Sequence, residues 1–221
     1  MTRPLLFLFF ALLFTTCTTQ DNTLDQNADP LSGAMWISDD NPLPESDSLF
    51  YLDHPAPIFR KEFNLNRIPN SADLWITAAG YYTLWINGKK IGDQELAPAW
   101  TDYSKRIYYQ KFNVASFLQK GENVIGIELG NGWYNPLPLK LWGNRNLRES
   151  LSIGKPRVIA SLHVDVDKKN SAVVQTNKDW KNSTGFITRN NVYLGEIHDY
   201  TVGSMDWLLA DFDDSSWTPV E

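Results

Sequence analysis

The chain has 221 residues, 43% hydrophobic and 21% charged, an ordinary globular composition and long enough for one good core. Its net charge is -6, with Lys and Arg scattered rather than gathered into a stripe, so nucleic acid and anionic membrane surfaces are poor partners. Aromatic residues make up 13%, including nine Trp and nine Tyr, more than such a core needs, so some rings are expected to face a ligand.

The N-terminus, MTRPLLFLFFALLFTTC, places Arg3 before an unbroken apolar run from Leu5 to Phe14 that is too short to span a bilayer. It reads as a secretory signal. The run ends at Cys17, the single cysteine, which excludes an intrachain disulfide. Its position resembles the acylated cysteine of bacterial lipoprotein signals, with Leu13 one place further back than usual and Thr16 in place of the usual small residue. The expectation is a signal peptide over residues 1–16, lipidation at Cys17, and export across the inner membrane to a lipid-anchored position in the bacterial envelope, in the periplasm or at the cell surface. Residues 17–34 are polar and nearly free of bulky apolar side chains, as a flexible tether should be. Residues 35–221 remain for the folded domain.

From Met35 onward, short apolar or alternating runs are separated by Gly, Asn, Asp and Pro, and no stretch keeps a 3.6-residue apolar period. ADLWITAAG is a strand candidate. YYTLWINGKKIGD is a hairpin, because Asn87-Gly88 can both take positive φ and close a two-residue turn, with Lys89 to Ile91 as the return strand. Ile107 to Val114 alternates and is expected to be a strand with its rings in the core and Lys111 outside. ENVIGIELG is almost continuously apolar, as a central strand should be. Asn131 to Arg157 holds two nearby prolines and Asn-Gly and Gly-Asn pairs, so it is expected to be a long irregular loop carrying Trp133, Tyr134 and Trp142, the kind of loop that holds ligands. RVIASLHVDVD alternates cleanly, with Val158, Ala160, Leu162, Val164 and Val166 on one face. The chain then turns over Asp167 to Asn170 and SAVVQT pairs back. This spacing predicts an all-β, antiparallel β-sandwich of roughly eight strands.

Several familiar chemistries fail on spacing. Gly130-Asn131-Gly132 begins like a dinucleotide fingerprint, but the third glycine is missing and Pro136 blocks the helix that should receive the phosphate. Asp211 to Trp217 begins like a calcium loop, yet Ser216 occupies the position that needs glycine. His54, His163 and His198 lack metal-ligand spacing, and there is no Gly-x-Ser-x-Gly elbow. A glycosidase needs two carboxyl groups flanking the scissile bond. Glu128 and Glu196 are the only glutamates in apolar or motif-like sequence, and nothing in the sequence brings them together. No catalytic residues are therefore expected in this chain.

FRKEFNL (59–65), ITAAGYYTLWINGKKIGD (76–93), LAPAWTDYSKRIYYQKFNVASFLQKGENVIGIELGNGWY (96–134) and VYLGEIHDYTVGSMDWLLADFDDSSWTPV (192–220) together resemble the N-terminal β-sandwich domain of bacterial α-L-rhamnosidases. The four motifs stand in the family's order, and the resemblance runs from about Trp36 to the last residue. It implies a jelly-roll-like, galactose-binding-like sandwich that serves as a non-catalytic accessory or carbohydrate-binding module, with the catalytic acid and base on a separate α/α barrel. The alternatives are part of a rhamnosidase whose catalytic domain lies elsewhere, or a packing module that touches no sugar. The implied partners are rhamnose-containing glycans or that catalytic domain, with membrane contact through the lipid anchor only. Some relatives bind terminal L-rhamnose with calcium. A sugar site needs an aromatic face for C–H groups, and carboxylates or amides for hydroxyls. The matching residues are Asp102 in Trp-Thr-Asp-Tyr, also the candidate calcium ligand, and Asn131, Trp133 and Tyr134 in Gly-Asn-Gly-Trp-Tyr. Asp102 has a structural alternative, holding a turn by accepting backbone N–H bonds, and Trp133 and Tyr134 have another, capping the core. Two departures stand out: Ala99 replaces the family's Gly, and Asp199-Tyr200-Thr201 replaces Asp-Ala-Arg, removing a cationic partner.

Overall fold

The computed structural model describes residues 29–141, 145–167 and 170–221. Cys17, the signal segment and Trp142 lie outside the described residues. In chain order the strands are β1 (Pro57–Leu65), β2 (Ser71–Ala79), β3 (Tyr81–Ile86), β4 (Lys89–Lys90), β5 (Gln110–Asn113), β6 (Gly121–Gly130), β7 (Lys140–Leu141), β8 (Arg145–Asn146), β9 (Arg157–Asp167), β10 (Asn170–Gln175), β11 (Lys181–Thr184), β12 (Ile187–Asn191), β13 (Gly195–His198) and β14 (Thr218–Pro219). A six-stranded sheet, β14-β11-β1-β6-β3-β4, and a four-stranded sheet, β10-β9-β2-β5, hold the principal strands, and every pairing is antiparallel. Two small ribbons, β7-β8 and β12-β13, stand apart. The helical elements among the described residues are short 3-10 turns.

The core between the sheets follows from alternation. Phe59, Leu84, Ile125, Ile127 and Leu129 come from the larger sheet, and Leu74, Ile76, Val158, Leu162 and Val164 from the smaller. Each such side chain contributes roughly 1.5–3 kcal/mol when fully buried. β3 and β4 form the expected hairpin, with Asn87 at φ 50° and Gly88 at φ 77°. β9 keeps the alternation read from its sequence: Val158, Ala160, Leu162, Val164 and Val166 are all buried.

β6 is apolar on both faces because both are covered. On its outer face Trp207 and Leu208, from the 3-10 turn Asp206–Leu208, pack with Ile58 and Trp85 as a second cluster. Arg60 on β1 fixes this strap. Its side chain is wholly buried and donates to the Trp207 and Leu209 carbonyls, at 2.8 Å each, and to the carboxylates of Asp214 and Glu62. The Asp-rich segment that began like a calcium loop thus works as a clasp: Asp213 accepts the Ser215 N–H, Asp214 holds Arg60 and Lys181, and Trp217 packs on Trp207 and Phe212.

One expectation is corrected. The strand expected over Ile107–Val114 is confined to β5, and Tyr108 and Tyr109 are each 52% exposed rather than in the core. β5 is an edge strand paired only along β2 residues 73–76, and Thr77 Oγ1 donates to the Tyr108 carbonyl, so the chain leaves the ladder before those rings reach the interior. Lys111 does point outward, to Asp73 and over the Trp75 ring. The last residues of the expected tether, 29–34, form a turn docked on β10, where the Gln175 amide donates to the Ser32 carbonyl.

Candidate functional site

Asp102 sits in the turn between Trp100 and Arg106. Its Oδ1 accepts the Ser104 N–H at 3.0 Å and hydroxyl at 2.7 Å, and Lys105 Nζ lies 3.4 Å from Oδ2. The Ser104 bonds hold its carboxyl below the usual carboxylate range, with Lys105 adding to the effect. Its own carbonyl accepts from the N–H groups of Lys105 and Arg106. Calcium takes six to eight oxygen ligands. This exposed carboxylate is occupied by donors, and no group of three or more His, Cys, Asp or Glu suited to a metal occurs among the described residues. The surroundings of Asp102 therefore do not fit a calcium site.

The 130–134 turn leaves β6 by crossing the backbone of Gly80. A Cβ at Gly132 would lie 3.0 Å from the Gly80 carbonyl carbon, and one at Gly80 would lie 2.4 Å from the Gly130 oxygen, so close backbone approach is why glycine stands at 80 and 132. Asn131 fastens the turn to β12: its N–H donates to Asn190 Oδ1 at 2.6 Å, and its side-chain amide to the Asn190 carbonyl at 3.0 Å. Its Oδ1 accepts from Asn135, which in turn accepts from Arg148.

Trp133 and Tyr134 bring the two predicted motifs together. Trp133 lies 5.9 Å from Trp100 and 5.7 Å, edge-on, from Tyr193, while Tyr134 meets Tyr103 edge-on at 5.0 Å. Burial pushes the Tyr103 hydroxyl up to about 12. The Tyr134 hydroxyl accepts from Arg157 at 2.9 Å and covers Gly154, where a Cβ would lie 2.5 Å away. Tyr134 is thus half-buried, held between Tyr103, Arg157 and Gly154. Trp100, 49% exposed, is the open face of this aromatic ledge.

Asn131 and Asn135 also line a groove of about 630 Å3, within the range that holds small ligands. Its far wall is the proline-bent segment 39–57, with Phe50 and the exposed Tyr51; Asn190 and Asn191 complete the near wall. Arg189, paired with Asp53 at 2.6 Å, and Lys155, paired with Glu221, stand at the groove. Arg148 stacks on Phe50 with its guanidinium 4.1 Å from the ring centroid, and burial lowers its pKa. Amides that donate and accept, set beside an aromatic ring, suit polyhydroxylated ligands. The sequence reading selected Asn131 but missed Tyr51, Asn190 and Asn191; the signal was the Pro42, Pro44, Pro55 and Pro57 pattern, which marks a loop held in a fixed course. Groove and ledge adjoin, since Asn131 and Trp133 share one turn while Asn191 and Tyr193 share another.

The family model of the α-L-rhamnosidase N-terminal domain matches residues 67–221. An α-L-rhamnosidase of Formosa agariphila is 35% identical over 162 residues, covering 73% of this chain and 17% of that protein. Among solved structures, native α-L-rhamnosidase from Aspergillus terreus superposes with a TM-score of 0.76 at 28% identity, covering 86% of this chain and 21% of the other. The α-L-rhamnosidase from Dictyoglumus thermophilum gives 0.70 at 32% identity, covering 85% and 20%. The chain spans about one fifth of the length of the relatives it matches.

Proposed function

Because the chain belongs to the α-L-rhamnosidase N-terminal domain family, we propose that it is the glycan-recognition module of a rhamnosidase, holding rhamnose-containing glycans in the groove beside Asn131. The observation that carries this reading is the groove itself, about 630 Å3 and lined by Asn131, Asn135, Asn190, Asn191 and Tyr51. Side-chain amides bond vicinal hydroxyls, and the ring covers the apolar C–H face of a deoxysugar. Hydrolysis in such a protein belongs to a catalytic domain outside these residues, and recognition here raises the local concentration of its substrate.

The test is titration of L-rhamnose and a rhamnosyl disaccharide into the purified chain, with and without calcium, followed by calorimetry and Trp fluorescence. A saturable response that weakens about three- to tenfold in Tyr51→Ala is expected, the worth of one aromatic contact. Folded protein that gives no response at millimolar sugar would refute it. A second role is favoured by the exposed apolar residues Leu194, Ile197, Tyr200, Val202 and Met205, which suit packing against a rhamnosidase catalytic domain. Packing alone gives no sugar response, so the titration separates the two.

A further inference from the structure

β6 is buried along its length except at its ends, and Glu128 is the one ionisable group in that stretch, at 8% exposure. Its ladder neighbours are Ile58 on β1 and Thr83 on β3. Ile127 and Leu129 point into the core, so Glu128 points to the opposite face of the sheet. There Gly185 closes over it so tightly that a Cβ would lie 3.0 Å from Oε1. That oxygen is buried and has no hydrogen-bond partner. An unpaired buried carboxylate is far more costly than the neutral acid, so closure over Glu128 favours its protonated form.

The β12–β13 hairpin supplies the charges that reach it. Glu196 and His198, two residues apart on β13 and paired at 2.9 Å, act on Glu128 in opposite senses: Glu196 opposes its ionisation and His198 favours it. On β1, Arg60 shares this sheet face but is engaged by Asp214 and Glu62. β3 offers the hydroxyls of Thr83 and Tyr81. Beyond the hairpin, the Asp199 carboxylate is held by Thr201.

The geometry points to Glu128 as a proton-operated latch: with its carboxyl neutral the β12–β13 hairpin lies closed over the sheet, and with it ionised the hairpin opens to water. The latch stands independently of the sugar reading. Burial, reinforced by Glu196, raises the closed-state carboxyl to about 7 from an ordinary 4.5. A group that binds its proton more tightly when closed favours closure at low pH; that contribution is complete below about 4.5 and is lost as pH rises through about 7. Between pH 5 and pH 8 the opening equilibrium should rise about seventyfold. Asn190 holds the Asn131 turn from this same hairpin, so opening also slackens that wall of the groove.

Amide hydrogen exchange at pH 5 and pH 8, expressed as protection factors to remove the intrinsic pH dependence, tests this. Hairpin amides over 187–198 should lose protection by up to about seventyfold at the higher pH, with β2 and β9 amides as the unchanged reference. Glu128→Gln, neutral at both pH values, should abolish the difference. Glu196→Gln should move the midpoint down and His198→Gln should move it up, and these exposed positions carry the test if Glu128→Gln fails to fold. Equal hairpin protection at both pH values, a pH effect retained in Glu128→Gln, or identical midpoints in the two hairpin variants would each overturn the proposal.

Discussion

Removing Asp214 should release the strap that covers the outer face of β6. Arg60, whose side chain is 0% exposed, would keep only Glu62 as an anionic partner, and Glu62 is itself 43% exposed. Breaking a fully buried ion pair costs about 3–5 kcal/mol because an uncompensated charge stays behind. Asp214 is 20% exposed and Glu62 remains, so Asp214→Ala belongs below that range, at about 2–3 kcal/mol. For a domain of this size that lowers Tm by about 4–12 °C. Arg60→Met/Asp214→Leu removes both charges and their desolvation cost, yet leaves the Trp207 and Leu209 carbonyls without their buried donor, so the double variant should stay destabilised by about 1–3 kcal/mol per orphaned group. The assay is urea unfolding followed by Trp fluorescence, since Trp207 touches both Trp85 and Trp217 and reports on the strap. Asp214→Ala within about 0.5 kcal/mol of the unmodified chain would refute the clasp.

Gly126→Ala puts a Cβ 2.2 Å from Leu208 Cδ2 and 2.5 Å from Trp207 Cζ3, and should cost about 1–3 kcal/mol in the same urea assay as the strap is pushed outward. Asp102→Ala should shift the thermal midpoint by no more than about 2 °C and leave the sugar titration unchanged, because Asp102 holds only its own exposed turn. A lost sugar response in Asp102→Ala would move the site to the ledge.

What the sequence made legible is what local pattern controls. The Asn87-Gly88 turn, the alternation of β9 and the continuous apolar run of β6 each follow from residues within a few positions of one another. The β12–β13 ribbon left no such trace: all four β13 residues are exposed, so nothing alternates. The Arg60–Asp214 pair joins positions 154 apart, and only folding shows that an apparent calcium loop is a clasp. Glu128 and Glu196, which nothing in the sequence connects, come within electrostatic reach once the chain is folded, with Glu196 opposing the ionisation of Glu128. Asn131 was readable as a polar residue in a glycine turn, but its bonding to Asn190 was not, and neither was the groove wall at 39–57, because both depend on distant segments. Tyr108 and Tyr109 misled for a related reason: alternation says that two faces differ, not whether an edge strand continues.

The glycan groove is tested most directly by backbone amide NMR of the chain during L-rhamnose titration. Saturable shifts clustered at Tyr51, Asn131, Asn135, Asn190 and Asn191 are the expected result. Shifts confined to Trp100–Tyr103, or a silent spectrum at millimolar sugar from folded protein, would contradict it.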